Sequence, residues 1–234
     1  MRRDFNDDEG LAMLGNVGWL ASTPAEFRDA ILSLCSWQER PAGHLIQAGG
    51  EEAGEFLALA QGVVEFRTVV ARADTPLMHF VYPVFWFGYI PFLTGKARPL
   101  AATARTSVTL ARIQHGAIKA LLDRRPDWWR HLMPLAISYG DVASMVAADL
   151  LIRDGERRCA AVLLRLSGHR FFSHTDGQAV DVAITQEELG GAANLSHSSV
   201  HGMLKRLVDR GLVEQGYKGL KIVSPAALRK FVNG

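Results

Sequence analysis

Cysteine is nearly absent: the 234 residues hold only Cys35 and Cys159. Two thiols cannot build a disulfide framework or a four-thiolate cluster, so the expected setting is reducing and cytoplasmic. They fall in different predicted domains, which favours buried structural thiols over a redox pair. No run of 18 or more apolar residues occurs, so no membrane span is expected. The opening "MRRDFNDDEG" lacks the apolar stretch of a secretory signal. Repeats and low-complexity segments are absent. So are a glycine-rich phosphate loop, a nucleophile elbow and a credibly placed carboxylate pair, so catalysis is not expected. His44, His79, His115 and His131 are scattered, and no metal or cofactor is expected from them.

What is present is ordinary in amount and uneven in place. The formal charge is only +2. Residues 1–152 carry 14 Lys/Arg against 16 Asp/Glu, whereas residues 153–234 carry 12 against 8. A polyanionic partner is expected at the basic end.

From about Phe27 to Ile113 short apolar runs alternate with Gly, Pro and Asp turn signals, as in "HLIQAGG", "EFLALAQG" and "VTLARI". That spacing predicts a small antiparallel roll or sandwich. Thr23-Pro24 marks a helix before it, and "HGAIKALLDRR" a helix after it that ends at Pro126. Asp127–Ile152 is the longest stretch without turn chemistry. Its apolar face is broad, with Pro134 as kink or true start. Leu135, Val142, Met145, Val146 and Ile152 are the residues expected to meet a partner chain; an internal core helix is the alternative.

The C-terminal stretch "AITQEELGGAANLSHSSVHGMLKRLVDRGLV" reads position by position. Thr185 and Glu188 form a capping box. Asn194 suits the left-handed turn that ends a first helix. Ser196 caps a second helix, and Val200, Leu204 and Leu207 face inward at i, i+4, i+7. Gly211 ends it, and "LVEQGYKGLKIV" makes a hairpin. Two helices, a tight turn and a hairpin predict a winged helix-turn-helix. His197, Ser198, His201 and Gly202 are then placed to face base edges in a major groove. Ser196, Ser199, Lys205, Arg206, Lys218 and Lys221 are placed to hold phosphates. His197 and His201 also have a metal-compatible spacing, but without an acidic or thiol neighbour in sequence.

The stretches "ITQEEL", Ser196, Ser199-Val200, Leu204-Lys205, Leu207 and "RGLV" resemble the Crp–Fnr superfamily of bacterial transcription regulators. So do "PAGHLIQAGGEEAGEFLALAQGVVEF", with Gly43, Gly49-Gly50-Glu51 and Gly62 at the turns, "FGYIPFLTG" and "RPLAATARTSVTLARI". The resemblance implies an α+β chain: an antiparallel β-roll of the cyclic-nucleotide-binding type at 1–125, a long dimerisation helix at 126–153, and a winged helix-turn-helix at 154–234. It further implies a homodimer, a pseudo-palindromic double-stranded DNA operator, and RNA polymerase as a candidate partner. A sensor acting mainly through protein partners is the alternative.

The departures from that family are specific. Its cyclic-nucleotide binders carry Gly-Glu where this chain has Gly88-Tyr89, and Arg followed by Ser or Thr where it has Arg98-Pro99. In those members the Glu accepts from the ribose hydroxyl and the Arg holds the cyclic phosphate. Tyr89 is no anionic acceptor at neutral pH and Pro99 offers neither hydroxyl nor N–H. The effector is therefore unknown and is not expected to be cyclic AMP. The N-terminal cysteine cluster of the iron–sulfur members is missing. On the recognition helix His197 and Gly202 stand where well-known members have Arg. The aromatic crowd Phe80, Tyr82, Phe85, Trp86, Phe87, Tyr89 and Phe92 either packs on itself or lines an apolar effector site; self-packing is the stronger expectation.

Overall fold

The computed structural model describes residues 5–52, 54–69, 76–170, 178–216 and 219–234. Two helices come first, α1 (Asp7–Asn16) and α2 (Ala25–Ser33). The Asn6 side chain accepts from the Asp8 and Glu9 amides, and three acids fill the first turn of α1, where the helix dipole favours them. Thr23 does not cap α2. Its hydroxyl donates 2.7 Å back to the Leu20 carbonyl, and Pro24 stands at the cap.

Eight strands follow: β1 (Ser36–Arg40), β2 (Leu45–Gln47), β3 (Glu55–Gln61), β4 (Val64–Thr68), β5 (Leu77–Val81), β6 (Phe85–Phe87), β7 (Leu100–Ala104) and β8 (Val108–Gln114). The short helix α3 (Ile90–Thr94) lies between β6 and β7. One antiparallel sheet has the order β1-β8-β3-β6, the other β2-β7-β4-β5. The stretch 78–89, "MHFVYPVFWFGY", contributes to two strands in two sheets, with Pro83 between them. Its aromatic rings pack on rings of other elements: Trp86 lies 4.9 Å from Phe56 and 5.4 Å from Trp19, and Phe87 meets Phe66 edge-on at 5.5 Å. Phe80, Trp86, Phe87 and Tyr89 are buried.

Helix α4 (His115–Arg124) is succeeded by a 3-10 turn over Pro126–Leu132, then by α5 (Met133–Leu151). Pro134 marks the start of α5, where its missing N–H costs no intrahelical bond. The C-terminal elements are α6 (Gly155–Leu166), β9 (Val180–Val182), α7 (Gln186–Ala193), α8 (His197–Asp209), β10 (Val213–Gly216), β11 (Gly219–Ile222) and α9 (Pro225–Asn233).

The described residues form two compact units, one within 1–73 and 81–140, the other within 74–80 and 141–234. Their division falls inside α5. The first unit has a core of Leu14, Phe27, Ile31, Phe56, Trp86, Tyr89, Ile113 and Leu135, with a second cluster around Leu57, Leu59 and Leu110. In the second, α6 is buried from Cys159 to Leu166. An ionic cluster centred on the fully buried Asp149 and Arg165 sits beside it. Asp149 accepts from Arg165 Nε at 2.8 Å and from Arg170 Nε at 2.9 Å, and Arg165 Nη1 donates to the Met78 carbonyl. Burial pushes both thiols up, Cys35 to about 12 and Cys159 to about 11, so neither is poised as a nucleophile.

Candidate nucleic-acid interface and effector site

The C-terminal site is assembled by local signals. The capping box is complete: Glu188 N–H donates to Thr185 Oγ1 at 3.1 Å, and Thr185 N–H to Glu188 Oε2 at 3.0 Å. Asn194 takes the left-handed conformation, φ 50° and ψ 53°, and turns the chain between α7 and α8. Ser196 caps α8, accepting from the Ser199 amide at 3.3 Å. Val200, Leu204 and Leu207 are buried. At the far end Gly211, at φ +68°, lets the Leu212 amide reach the Leu207 carbonyl at 3.0 Å.

These caps set the register, and the register sets what is left outside. His197, Ser198, His201 and Lys205 are exposed, while Ser199 and Gly202 are half-buried. Ser196 Oγ lies 2.8 Å from Ser199 Oγ and 3.2 Å from Ser198 Oγ, so the N-terminal turn is a cluster of hydroxyls. Lys205 has no ion pair among the described residues. Arg206 is engaged within the unit: Glu156 of α6 accepts from its Nε at 2.8 Å, and from Arg210 Nε at 2.8 Å. Lys221 pairs across the hairpin with Glu214 at 3.3 Å. Lys218 lies outside the described residues.

Three parts of this site went unread in the sequence. β9 adds a third strand beside β11. α9 follows a Ser224 cap and Pro225, a signal present but unused. Gln186 Oε1 lies 3.4 Å from His201 Nδ1, which ties the first turn of α7 to the exposed face of α8.

The roll carries the second candidate site. Gly88 has φ +86°, and a Cβ there would meet the Glu55 carbonyl and the Gln47 amide. Tyr89 points inward: its phenol donates to the Leu135 carbonyl at 2.6 Å, and burial pushes it up to about 12. Arg98 is 5% exposed, with Nη1 3.5 Å from the Glu51 carboxylate. Burial lowers its pKa, and Glu51 opposes that shift. Its guanidinium lies against the Gly54 backbone so closely that a Cβ would overlap it. His115 Nε2 lies 3.2 Å from the Gly88 carbonyl, and burial lowers its pKa. Pro99 is half-buried. A carboxylate of the chain thus stands beside Arg98, and the Tyr89 phenol is engaged by the Leu135 carbonyl.

Among the five residues expected to face a partner chain, Leu135 and Val146 are buried within the protomer and Val142, Met145 and Ile152 are half-buried. Other positions of α5 are more open. Met133, Ile137, Gly140, Ser144, Ala147 and Leu151 are all exposed, Met133 by 58%, Ile137 by 60% and Leu151 by 80%. Their spacing alternates four and three, that of a coiled-coil seam. No helix of the described residues is long and apolar enough to cross a membrane.

A β-roll, a long apolar helix and a capped helix-turn-helix with a wing define a DNA-binding regulator with a sensor-type domain. Residues 37–125 match the model of the cyclic nucleotide-binding domain, and residues 157–231 that of the Crp-like helix-turn-helix domain. The chain belongs to the Crp–Fnr superfamily of transcription regulators. It is 24% identical over 184 residues to the CRP-like cAMP-activated global transcriptional regulator of Mycobacterium tuberculosis, covering 78% of this chain and 81% of that one. Two solved structures share the fold. One is a CRP/FNR-family transcriptional regulator of Thermus thermophilus, with 21% identity, TM-score 0.64, and coverage of 85% of this chain and 99% of that one. The other is the c-di-GMP responsive global regulator CLP of Xanthomonas campestris, with 19% identity, TM-score 0.65, and coverage of 86% and 99%.

Proposed function

We propose that this regulator acts in the cytoplasm as a homodimer on a pseudo-palindromic operator, without catalysis and without cyclic AMP as its effector. The observation that carries the DNA reading is the exposed N-terminal half of α8, capped by Ser196 and held on a buried Val200–Leu204–Leu207 stripe. His197, Ser198 and His201 read base edges, and Gly202 admits close approach. Ser196, Ser199 and Lys205 sit on phosphates, joined by Lys218 and Lys221 of the wing. Arg206 joins them only when it exchanges Glu156 for a phosphate. With His197 in place of an arginine, the bidentate grip on guanine is lost, so the half-site differs from that of arginine-bearing relatives.

Dimerisation is supported by the seam from Met133 to Leu151. Six exposed positions at coiled-coil spacing, small in the middle and bulky at both ends, suit two close-packed copies. In the dimer the two recognition helices reach successive major grooves about 34 Å apart.

The chain's relatives include cAMP-activated regulators, but the ligand-holding chemistry differs here. A phenol donating to Leu135 replaces the ribose acceptor, and Glu51 competes with any phosphate for Arg98. The experiment is an operator selection from random duplexes with thermal melting of the same protein. The expected results are an enriched inverted repeat, and no melting shift on addition of excess cyclic AMP or cyclic GMP. A ligand at 100 times its Kd would add roughly 2.7 kcal/mol, a plain shift. Such a shift would overturn the effector reading; failure to enrich any duplex would overturn the DNA reading.

A further inference from the structure

The winged-helix unit has a second face that the DNA reading leaves unused. A shallow groove of about 550 Å³ lies between the first turn of α6, the end of α8 and the last turns of α9. Leu212, Ala227 and Phe231 line it with apolar surface, Arg157, Arg210 and Lys230 with cations, and Gly234 completes the lining. The Arg210 guanidinium lies 5.4 Å over the Phe231 ring and shares Glu156 with Arg206. Arg157 and Lys230 are exposed and have no ion pair among the described residues. Glu156 is therefore already shared between two arginines, which leaves Arg157 and Lys230 as the cations of the groove without an ion pair among the described residues.

We propose that this groove docks an acidic segment of a partner protein, one that carries a bulky apolar side chain. The chemistry selects this occupant. An inorganic anion would satisfy the cations and leave the apolar lining wet; a neutral apolar ligand would cover that lining and leave the cations unmatched. Duplex DNA is disfavoured by position. Arg210 lies 13 residues beyond His197 on one helix, about 20 Å along its axis, at the end away from the base-reading turn. That placing of the duplex rests on the DNA-binding reading, whereas the chemistry of the groove does not. Arg157 and Phe231 reach the groove from the two ends of the helix-turn-helix domain sequence, so the site exists only once α6 and α9 have packed together. The proposal gives the DNA-bound regulator a surface for recruiting a protein while α8 is occupied.

The test uses the full chain without DNA. A fluorescein-labelled Glu-Asp-Leu-Phe-Asp-Glu peptide is titrated by anisotropy against Glu-Asp-Gly-Gly-Asp-Glu as control. The first peptide is expected to bind at least about fivefold more tightly than the second, because the ring and the leucine meet the apolar lining. The double variant Arg157→Glu/Lys230→Glu is expected to weaken it about tenfold and to leave operator affinity within about twofold. Both side chains are exposed, and the melting temperature of the variant checks its fold; Lys230→Glu alone is expected to give about a threefold loss. Equal binding of the two peptides, an unchanged affinity in the variants, or no binding at about 1 mM overturns the proposal. So does a tenfold loss of operator affinity in the double variant, which would make the groove a nucleic-acid contact.

Discussion

Gly202 sits inside α8, where glycine costs about 1 kcal/mol relative to alanine. A Cβ there would meet only Arg206 Nη1, at 3.7 Å, so nothing in the protomer requires the glycine. Gly202→Ala is expected to raise stability by about 1 kcal/mol in urea unfolding and to weaken operator binding, because the added methyl stands where the duplex approaches. A gain in stability with unchanged affinity would make Gly202 a tolerated defect. His79 carries a pH dependence of its own. Burial and then the Arg165 charge lower its pKa from 6.5 to about 3. Below pH 6.5 the unfolded chain takes up a proton that the folded chain refuses, so stability falls as pH falls. The slope from this one group is at most about 1.4 kcal/mol per pH unit. His79→Asn is expected to remove about 2 kcal/mol of the difference in unfolding free energy between about pH 7 and pH 5; an unchanged difference would show that His79 is protonated in the fold.

Helices differ in how much of their role is written locally. α7 and α8 carry Thr185, Glu188, Asn194, Ser196 and Gly211 at their ends and a narrow apolar stripe between, so their limits and their buried side are legible from adjacent residues. β9 has three residues, and its place is settled by pairing with Leu220–Ile222, far along the chain. Asp149 offers no local hint either. It is one acid near the end of an apolar helix, yet it is fully buried between Arg165 and Arg170. Removing one partner of a buried ion pair leaves charges without compensation. Asp149→Ala is expected to cost about 3–5 kcal/mol, measured by urea unfolding, far more than Asp141→Ala on the exposed side of the same helix. Equal effects would mean that water reaches the cluster.

For the molecule as a whole, the decisive matter is which face of α5 remains for a second copy. Ile137→Asp places a charge in the proposed seam and is expected to raise the dimer dissociation constant at least about 100-fold by sedimentation, each charge costing a few kcal/mol on burial. Leu135→Asp is expected to lower the melting temperature instead, since Leu135 belongs to the core of the first unit. Should Ile137→Asp remain dimeric, the seam would lie elsewhere. Operator affinity is expected to fall steeply with salt, log K declining nearly one unit per phosphate contact per decade of salt. Lys205→Ala, which removes one contact in each half-site of the dimer, would reduce that slope by about two.

The sequence by itself determined the order of the parts and the register of the DNA-binding unit, because caps, turns and the i, i+4, i+7 stripe act between near neighbours. It also showed that the residues beside Gly88 and Arg98 are Tyr89, no ionised acceptor at neutral pH, and Pro99, without hydroxyl or N–H, since side-chain chemistry needs no fold to be read. Two things only the tertiary structure decided. A helix apolar on nearly every side does not say which stripe is covered; Leu135 and Val146 went inward, which left Met133, Ile137 and Leu151 open. Nor does a chain say which of its carboxylates will stand beside a buried arginine. Glu51 reaches Arg98 across 47 positions because the strands bring them together, and burial of this kind depends on contacts that no local pattern encodes.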